Sequence, residues 1–500
     1  MKTPKIRWSS GVSIGLAFLA LLMEWVRGMD MSNSALVGIR QDLFGILLSR
    51  SGHVFILLCL GFWHLTLLWI KTQSQGEAHP QRRGWREFMT PGETFRTLLI
   101  LFVVLAYINT WKDIEQPGRS SELLLGIDQS TNLMVLLVGI VASQISGMLL
   151  RSGDNDGFEF RYANLVFFVV FLAATSLVRF HIPHTYLYRS QVRWTGLWVN
   201  PNTFGVLMGV GVVMAVGLIF LILQTGRFRA AKVVFLGIAT GFAVIGLLHS
   251  YSRGAWLGVS CGLIYLGFRV IGARGISQSK AIRWMHRNIV CTLIIVFSLA
   301  LVAFWHFENA QQRLARRAFS VRSQNDFSLR NRLAAYEGAL QMMADKPWFG
   351  FGWNKPEAVY TQYYRPATVD EGLAIELNDF FTLGTTLGLP ALLCFVAYVA
   401  FSFMPKARDE VQRETKGLNV NLKSGNVQVS LIRAVCQAGA VVLLISFFFD
   451  GGLFKIALAV PFWILLELGS SEGAMREWRK SDEGLISLDP VGIIPVDKPQ

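Results

Sequence analysis

Residues 203–223 read TFGVLMGVGVVMAVGLIFLIL, a run with no charged side chain and with Thr203 as its only hydroxyl. At 1.5 Å rise per residue such a run is about 30 Å long, the thickness of a bilayer's hydrocarbon core. A helix in a soluble core would carry a polar stripe every three or four residues, and this run carries none. Similar runs recur on both sides of it, at 11–27, 52–70, 97–111, 131–150, 162–179, 233–249, 255–271, 288–307, 379–402, 431–449 and 453–469. The pattern predicts an all-α, polytopic transmembrane helix bundle of about twelve helices. The third run looks short, and 34–48, interrupted by Arg40 and Asp42, reads as an interfacial or re-entrant segment.

Composition points the same way. Apolar residues make up 52% of the chain and charged ones 16%, and 36 Phe with 15 Trp exceed what a soluble core needs. Lys2, Lys5 and Arg7 precede the first run, but Leu22-Met23-Glu24-Trp25 offers no small-x-small cleavage site, so that run reads as an uncleaved helix. All five cysteines lie within apolar runs, without disulfide or metal-ligand spacing, so they read as packing residues and no metal or cofactor is expected. The net charge of +14 is spread over short loops rather than gathered in one basic patch with interleaved aromatics, which argues against a nucleic-acid partner and for a membrane.

Orientation follows from those loops. Arg82-Arg83 with Arg86, Arg227 and Arg229, Arg274 to Arg287, and Lys406 to Lys416 fall on one side, which predicts that both termini are cytoplasmic. The organisation is then nine helices in 1–307, a large outer loop at 308–378, three helices in 379–469, and a cytoplasmic tail at 470–500. The helices beginning near 203, 255 and 379 run inward. Their unpaired N–H groups and positive dipole ends therefore lie at the outer face, where they suit anions such as phosphate.

Polar chemistry gathers beside those starts. Arg193 stands ahead of Asn200-Pro201-Asn202, with Asn202 as the expected N-cap, and Arg253 follows Ser252 directly before an inward helix. Each Arg alone reads more readily as a side chain reaching for lipid headgroups; two at matching helix starts give an anion site equal weight. Within the loop, Ser328 is placed to cap a helix over 329–344 whose face Leu333, Tyr336, Leu340 and Met343 lies on the membrane surface or caps the bundle. Arg330 and Arg332 occupy its first turn, where an acidic partner is expected. Glu376, Asn378 and Asp379 close the loop; such acids serve as general bases or as plain capping and ion-pairing groups.

These stretches together resemble one family. Arg193-x-x-Gly196 with Asn200-Pro201-Asn202, Ser252-Arg253-Gly254-Ala255-Trp256, Arg332 to Tyr336 followed by Asp345-Lys346-Pro347-Trp348-Phe349-Gly350-Phe351-Gly352, and Asn378-Asp379-Phe380 running into Leu387-Gly388-Leu389-Pro390 are similar to the O-antigen ligase and polymerase superfamily of bacterial envelope glycosyltransferases. The resemblance spans about residues 190–400. It implies an enzyme of the bacterial inner membrane that takes a lipid-linked oligosaccharide donor, on a polyprenyl diphosphate, and a glycan or lipid acceptor, with polysaccharide-export proteins as partners. Arg193, Asn202, Arg253, Arg330, Arg332 and Asn378 would then bind the diphosphate and glycan. One position departs: where the ligases carry a His, this chain has Leu377. Leucine accepts no proton, so Glu376 or Asp379 takes its place, or the reaction differs, or the chain is an inactive scaffold in polysaccharide export. Asp379, at a helix start that favours its anion, is the weaker base of the two. A transporter or flippase of lipid-linked sugars is the rival from another class, disfavoured because the two halves show no similarity and the polar groups gather at one face.

Overall fold

The computed structural model describes residues 13–21, 91–114, 135–146, 158–178, 186–188, 191–198, 200–224, 230–272, 327–352, 356–366, 378–404 and 420–470. The expected spans at 52–70 and 288–307, the 34–48 segment, much of the outer loop and the C-terminal tail lie outside these residues. In chain order the helices are α1 (13–21), α2 (Pro91–Ile114), α3 (Val135–Ser146), α4 (Phe158–Thr175), α5 (Pro201–Gln224), α6 (Ala230–His249), α7 (Arg253–Gly272), α8 (Phe327–Asp345), α9 (Pro356–Val359), α10 (Asp379–Leu387), α11 (Leu389–Phe403), α12 (Val420–Phe449) and α13 (Ile456–Gly469). Tyr360–Tyr364 continues α9 as one π-type turn. Among the described residues the fold is mostly helical, as expected, with one exception: β1 (Tyr186–Tyr188) and β2 (Gln191–Arg193) form an antiparallel hairpin, Tyr186 opposite Arg193.

Three helices among the described residues are long and apolar enough to cross a membrane, Pro201–Leu223, Ala230–His249 and Ser430–Phe449. Helix α5 is apolar on every side and buried on nearly every side, because α4, α6, α7 and α12 surround it. Helix α6 is peripheral and leaves Val234, Phe235, Ile238 and Phe242 exposed. The third span proves longer than its hydropathy suggests, since α2 runs for 24 residues.

Helix α7 lies on α12 along a row of glycines. Gly254, Gly258 and Gly262 repeat every four residues and so share one helix face. A Cβ at Gly258 would stand 2.9 Å from the Val442 carbonyl oxygen, and one at Gly262 would stand 3.1 Å from that of Ala438. Where surrounding lipid supplies no hydrophobic drive, such close backbone approach is a main source of helix association.

The expected span 379–402 is two helices. Gly388 ends α10 at φ 88°, a conformation that other residues rarely adopt, and a Cβ there would overlap the Trp348 carbonyl. The chain folds back at this point, so that Phe380 of α10 meets Phe395 of α11 with ring centroids 5.8 Å apart, and Gly384 faces Leu392. The segment after α8 fills the break: Phe351 and Gly352 donate N–H bonds to the Thr385 and Thr386 carbonyls, and Leu389 donates to Pro347. Hydropathy alone reads an apolar run and is blind to its direction.

Helix α8 begins at Phe327, one residue ahead of its expected cap Ser328. Its buried face is Ala335, Ala339 and Met342, which form a small separate core with Tyr360, while Leu333 and Leu340 of the expected face are exposed. At the end of the bundle away from Asp450, Gln437 donates from Nε2 to the Ser402 and Gly469 carbonyls, both at 3.1 Å, and accepts the Tyr265 hydroxyl at 2.8 Å. Helices α11 and α13 therefore share a base.

The glycine row is directly testable. Gly258→Ala should lower the thermal midpoint in detergent by the equivalent of about 1–3 kcal/mol, the usual cost of overpacking. Gly237→Ala on α6, where a Cβ meets nothing within 4 Å, should leave it unchanged or raise it. Equal effects of the two would remove the glycine row as the reason for the α7–α12 approach.

Candidate active site

Four segments far apart in sequence bring polar side chains to one end of the bundle, and they converge on Asp450. This residue follows the last turn of α12 and is 8% exposed. Its Oδ1 accepts the Asn202 amide at 3.2 Å and faces Arg332 Nη2 at 3.5 Å, and its Oδ2 accepts the Ser252 hydroxyl at 3.1 Å. Lys455 reaches back to the Asp450 backbone carbonyl at 3.4 Å. Gly254 is needed here as well, because a Cβ at that position would overlap Asp450 Oδ2.

The β-hairpin delivers Arg193. Its Nε donates to the Ser250 carbonyl at 2.7 Å and its Nη2 to Asn202 Oδ1 at 2.5 Å, so a buried guanidinium ties the hairpin to the start of α5 and to the α6–α7 turn. Asn202 relays between Arg193 and Asp450. It is not the N-cap expected of it: α5 starts at Pro201, a favoured first helical position, and Asn200 Oδ1 accepts the Asn202 N–H at 2.8 Å. The cap falls two residues earlier, at Asn200, because a proline at the first position needs no donor. Arg253 opens α7, with Ser252 capping it through an Oγ that accepts the Ala255 N–H at 3.3 Å.

Helix α8 covers this end. Arg332 finds in Asp450 the acidic partner expected of it, although the start of α8 at Phe327 places it in the second turn rather than the first. One turn on, the Tyr336 ring packs on Phe381 and Phe448, centroids 4.9 and 5.8 Å away, and its hydroxyl donates to the Phe448 carbonyl at 3.2 Å. Burial pushes the Tyr336 phenol up, against smaller opposite pulls from the Asn378 amide and Arg332, so it acts as a donor and not as a base near neutral pH.

Asn378 caps α10, its Oδ1 accepting the Phe380 and Phe381 N–H groups at 3.0 and 3.3 Å. Asp379 is buried, and its Oδ2 accepts the N–H groups of Gly452 and Leu453, both at 2.6 Å. This carboxylate fixes the turn between Asp450 and Lys455. Of the residues singled out from sequence, Arg193, Asn202 and Arg332 are thus joined through Asp450, Asn378 and Asp379 lie against the same turn, and Arg253 is next to it in the chain. Glu376 and the Arg330 side chain lie outside the described residues.

Asp450 and Lys455 are additions to the sequence reading, and Tyr336, read there only as part of an amphipathic face, joins them at the site. Asp450-Gly451-Gly452 was legible as a short acidic connection between two apolar runs, on the same side as Arg193 and Arg253. What marks it is the arithmetic of charge: the arginines of the neighbouring connections need an acid, and this connection supplies one.

A helical protein of membrane type, with cationic and amide donors gathered at the starts of α5, α7 and α13, is the class that fold and site define. Residues 238–396 match the family model described as O-antigen ligase, a family of glycosyltransferase-like ligases. The resemblance to the O-antigen ligase superfamily thus holds over a stretch running from within α6 to within α11, less than half of the chain. It takes in Arg253, Arg332, Asn378 and Asp379 and stops short of Arg193, Asn202 and Asp450. Comparison with curated proteins gave no match.

Removing the Asp450 carboxylate should unsettle all four segments at once. Asp450→Ala should cost about 3 kcal/mol or more, because breaking a buried charge pair strands its partner. Asp450→Asn, which keeps the shape and one acceptor oxygen, should cost less. Thermal unfolding in detergent reads both, and wild-type midpoints for the two variants would show that Asp450 ties nothing together.

Proposed function

We propose that this protein transfers or polymerises a polyprenyl-diphosphate-linked glycan at the periplasmic face of the bacterial inner membrane. In this reading the chain spans the membrane about twelve times, with both termini cytoplasmic and residues 308–378 as the periplasmic loop. The observation that carries it is the gathering of Asn202, Ser252 and Arg332 on the Asp450 carboxylate, with Arg193 behind Asn202, Lys455 on the Asp450 backbone carbonyl and Arg253 adjoining. Cations outnumber the acids Asp450 and Asp379 here, and three helix starts add their partial positive charge. Such a place suits a diphosphate.

The chemistry follows from the leaving group. An acceptor hydroxyl oxygen attacks the anomeric carbon of the donor sugar, the bond from that carbon to the diphosphate oxygen breaks, and the electron pair leaves with the lipid diphosphate. Arg193, Arg253 and Arg332, with the positive dipole ends of α5 and α7, stabilise the charge that develops on it. Each well-placed donor of this kind is worth on the order of 3 kcal/mol in the transition state. The acceptor proton passes to Glu376, the carboxylate next to Leu377 in sequence. Asp379, with two backbone N–H groups on one oxygen, positions the Gly452–Leu453 turn instead. The acceptor is a lipid-anchored core for a ligase or a growing lipid-linked chain for a polymerase.

A complementation assay tests this. A host lacking the protein receives wild type, Arg253→Ala, Arg193→Ala or Glu376→Gln, with membrane levels checked by blot. The arginine variants should be present in the membrane yet lose surface polymer and accumulate lipid-linked precursor, and Glu376→Gln should do the same. Full restoration of polymer by all three would make the cluster structural and move the protein to the scaffold class.

A further inference from the structure

Trp348 and Phe349 are 71% and 68% exposed, although they belong to a segment that the fold holds rigidly. Their backbone wraps the α10–α11 break: Leu389 donates its N–H to the Pro347 carbonyl at 2.7 Å, and Gly350, at φ 61°, sits against the Thr385 and Thr386 carbonyls. Two large apolar side chains fixed in an exposed position on a pinned turn call for an occupant of their surface.

Their height along the bundle identifies it. Gln437 bonds both Ser402 of α11 and Gly469 of α13 at the far end. From Ser402 up to Gly388, and from Gly469 up to Lys455, each chain climbs the same number of residues, about 21 Å of helix in either case. The Trp348–Phe349 turn therefore stands level with the Asp450–Lys455 turn, where the apolar helices end and the polar cluster begins. That level is the membrane–water interface if the chain spans a bilayer, and Trp is enriched there.

The surface below agrees. On α11, Leu393, Val396, Ala400 and Met404 are exposed and recur at helical spacing, a stripe that runs up to the turn bearing Trp348 and Phe349. Lys346, beside them, packs its ammonium 4.6 Å from the Phe351 ring centroid, a cation at headgroup height.

We infer that the Trp348–Phe349 turn is a membrane anchor, inserted at the lipid headgroup boundary, which seats the loop and with it α8 over the site. The inference rests on the membrane reading above and goes beyond it, since a loop wholly in water would serve the same reaction. The contacts then form a chain from lipid to site: the anchor holds the Pro347–Gly352 segment, that segment ends α8, and α8 carries Arg332 to Asp450.

The test uses the full chain in phosphatidylethanolamine–phosphatidylglycerol vesicles. The five native cysteines are replaced, and an environment-sensitive fluorophore is attached at Trp348→Cys, or at Leu393→Cys as the lipid-facing reference. Only monodisperse, wild-type-like preparations are used, with Phe349→Cys as a second site should Trp348→Cys fail that check. The label at 348 should emit blue-shifted, be shielded from aqueous iodide, and be quenched more by a nitroxide near the headgroup than by one at the acyl end. The label at 393 should be quenched by nitroxides deeper in the bilayer. Iodide access and no lipid quenching at 348, with 393 in lipid, would overturn the anchor and leave the membrane reading standing. Absence of lipid quenching at both would overturn both. Protection at 348 that appears only on adding acceptor glycan would assign the aromatic pair to sugar stacking and overturn the anchor as well.

Discussion

The closeness of α7 to α12 is the constraint from which most of the site follows. Three glycines on one face let the helix backbones approach to within the reach of a single Cβ. The uppermost, Gly254, lies between Ser252 and the end of α12, and the space it leaves is where the Asp450 carboxylate sits. A side chain at 254 would displace that carboxylate, and with it the shared partner of Asn202, Ser252 and Arg332. Packing in the apolar layer thus sets the geometry of the polar end, and the motif Ser252-Arg253-Gly254 joins a cap, a cation and a packing contact in three consecutive residues.

Burial makes this arrangement consequential. A carboxylate removed from water is stable only when donors satisfy it, and Asp450 finds donors on α5, on the α6–α7 turn and on α8. Those donors are in turn held by others: Asn202 by Arg193, and α8 by the Tyr336 ring wedged between Phe381 and Phe448. Arg332 meets the acid directly, and Arg193 is linked to it through Asn202. In the proposed function, a diphosphate, carrying more charge than a carboxylate, would meet donors already oriented toward an anion, which is the pre-organisation that electrostatic catalysis requires.

The membrane-type helices were legible in the sequence because hydropathy over 18 or more residues is a strong signal. The reversal at Gly388 was not. Gly388-Leu389-Pro390 lies within an apolar run, and Pro390 at a helix start looks the same as Pro390 within a kinked helix. What decides between them is the segment 347–352, forty residues upstream, whose peptide groups satisfy the broken backbone. The site divides in the same way. Arg193, Arg253, Arg332 and Asn378 stand out as polar residues at helix starts, each marked by its own neighbours. Asp450 is marked only by its partners, and those come from segments that sequence order keeps apart.

The two ends of the bundle are built differently, and the difference bears on where motion is affordable. At the end away from the site, Arg96 on α2 pairs with Glu467 on α13 at 3.3 Å, and the same Nη1 reaches Ser143 on α3 at 3.5 Å. Tyr398 on α11 donates to that carboxylate at 3.5 Å, and Gln437 adds its two bonds from α12. A buried pair of this kind contributes little net stability but makes separation of its partners costly, so it fixes register more than it adds strength. At the site end the corresponding links are turns and a hairpin: the 450–455 turn, the β1–β2 hairpin and the α10–α11 reversal. Those links are themselves tied by the Asp450 and Asp379 carboxylates, so opening at that end exchanges these contacts for contacts with a ligand. In the proposed function a lipid-linked glycan would make that exchange at Arg193 and Arg332 while α5, α7 and α12 stay in contact along the glycine row.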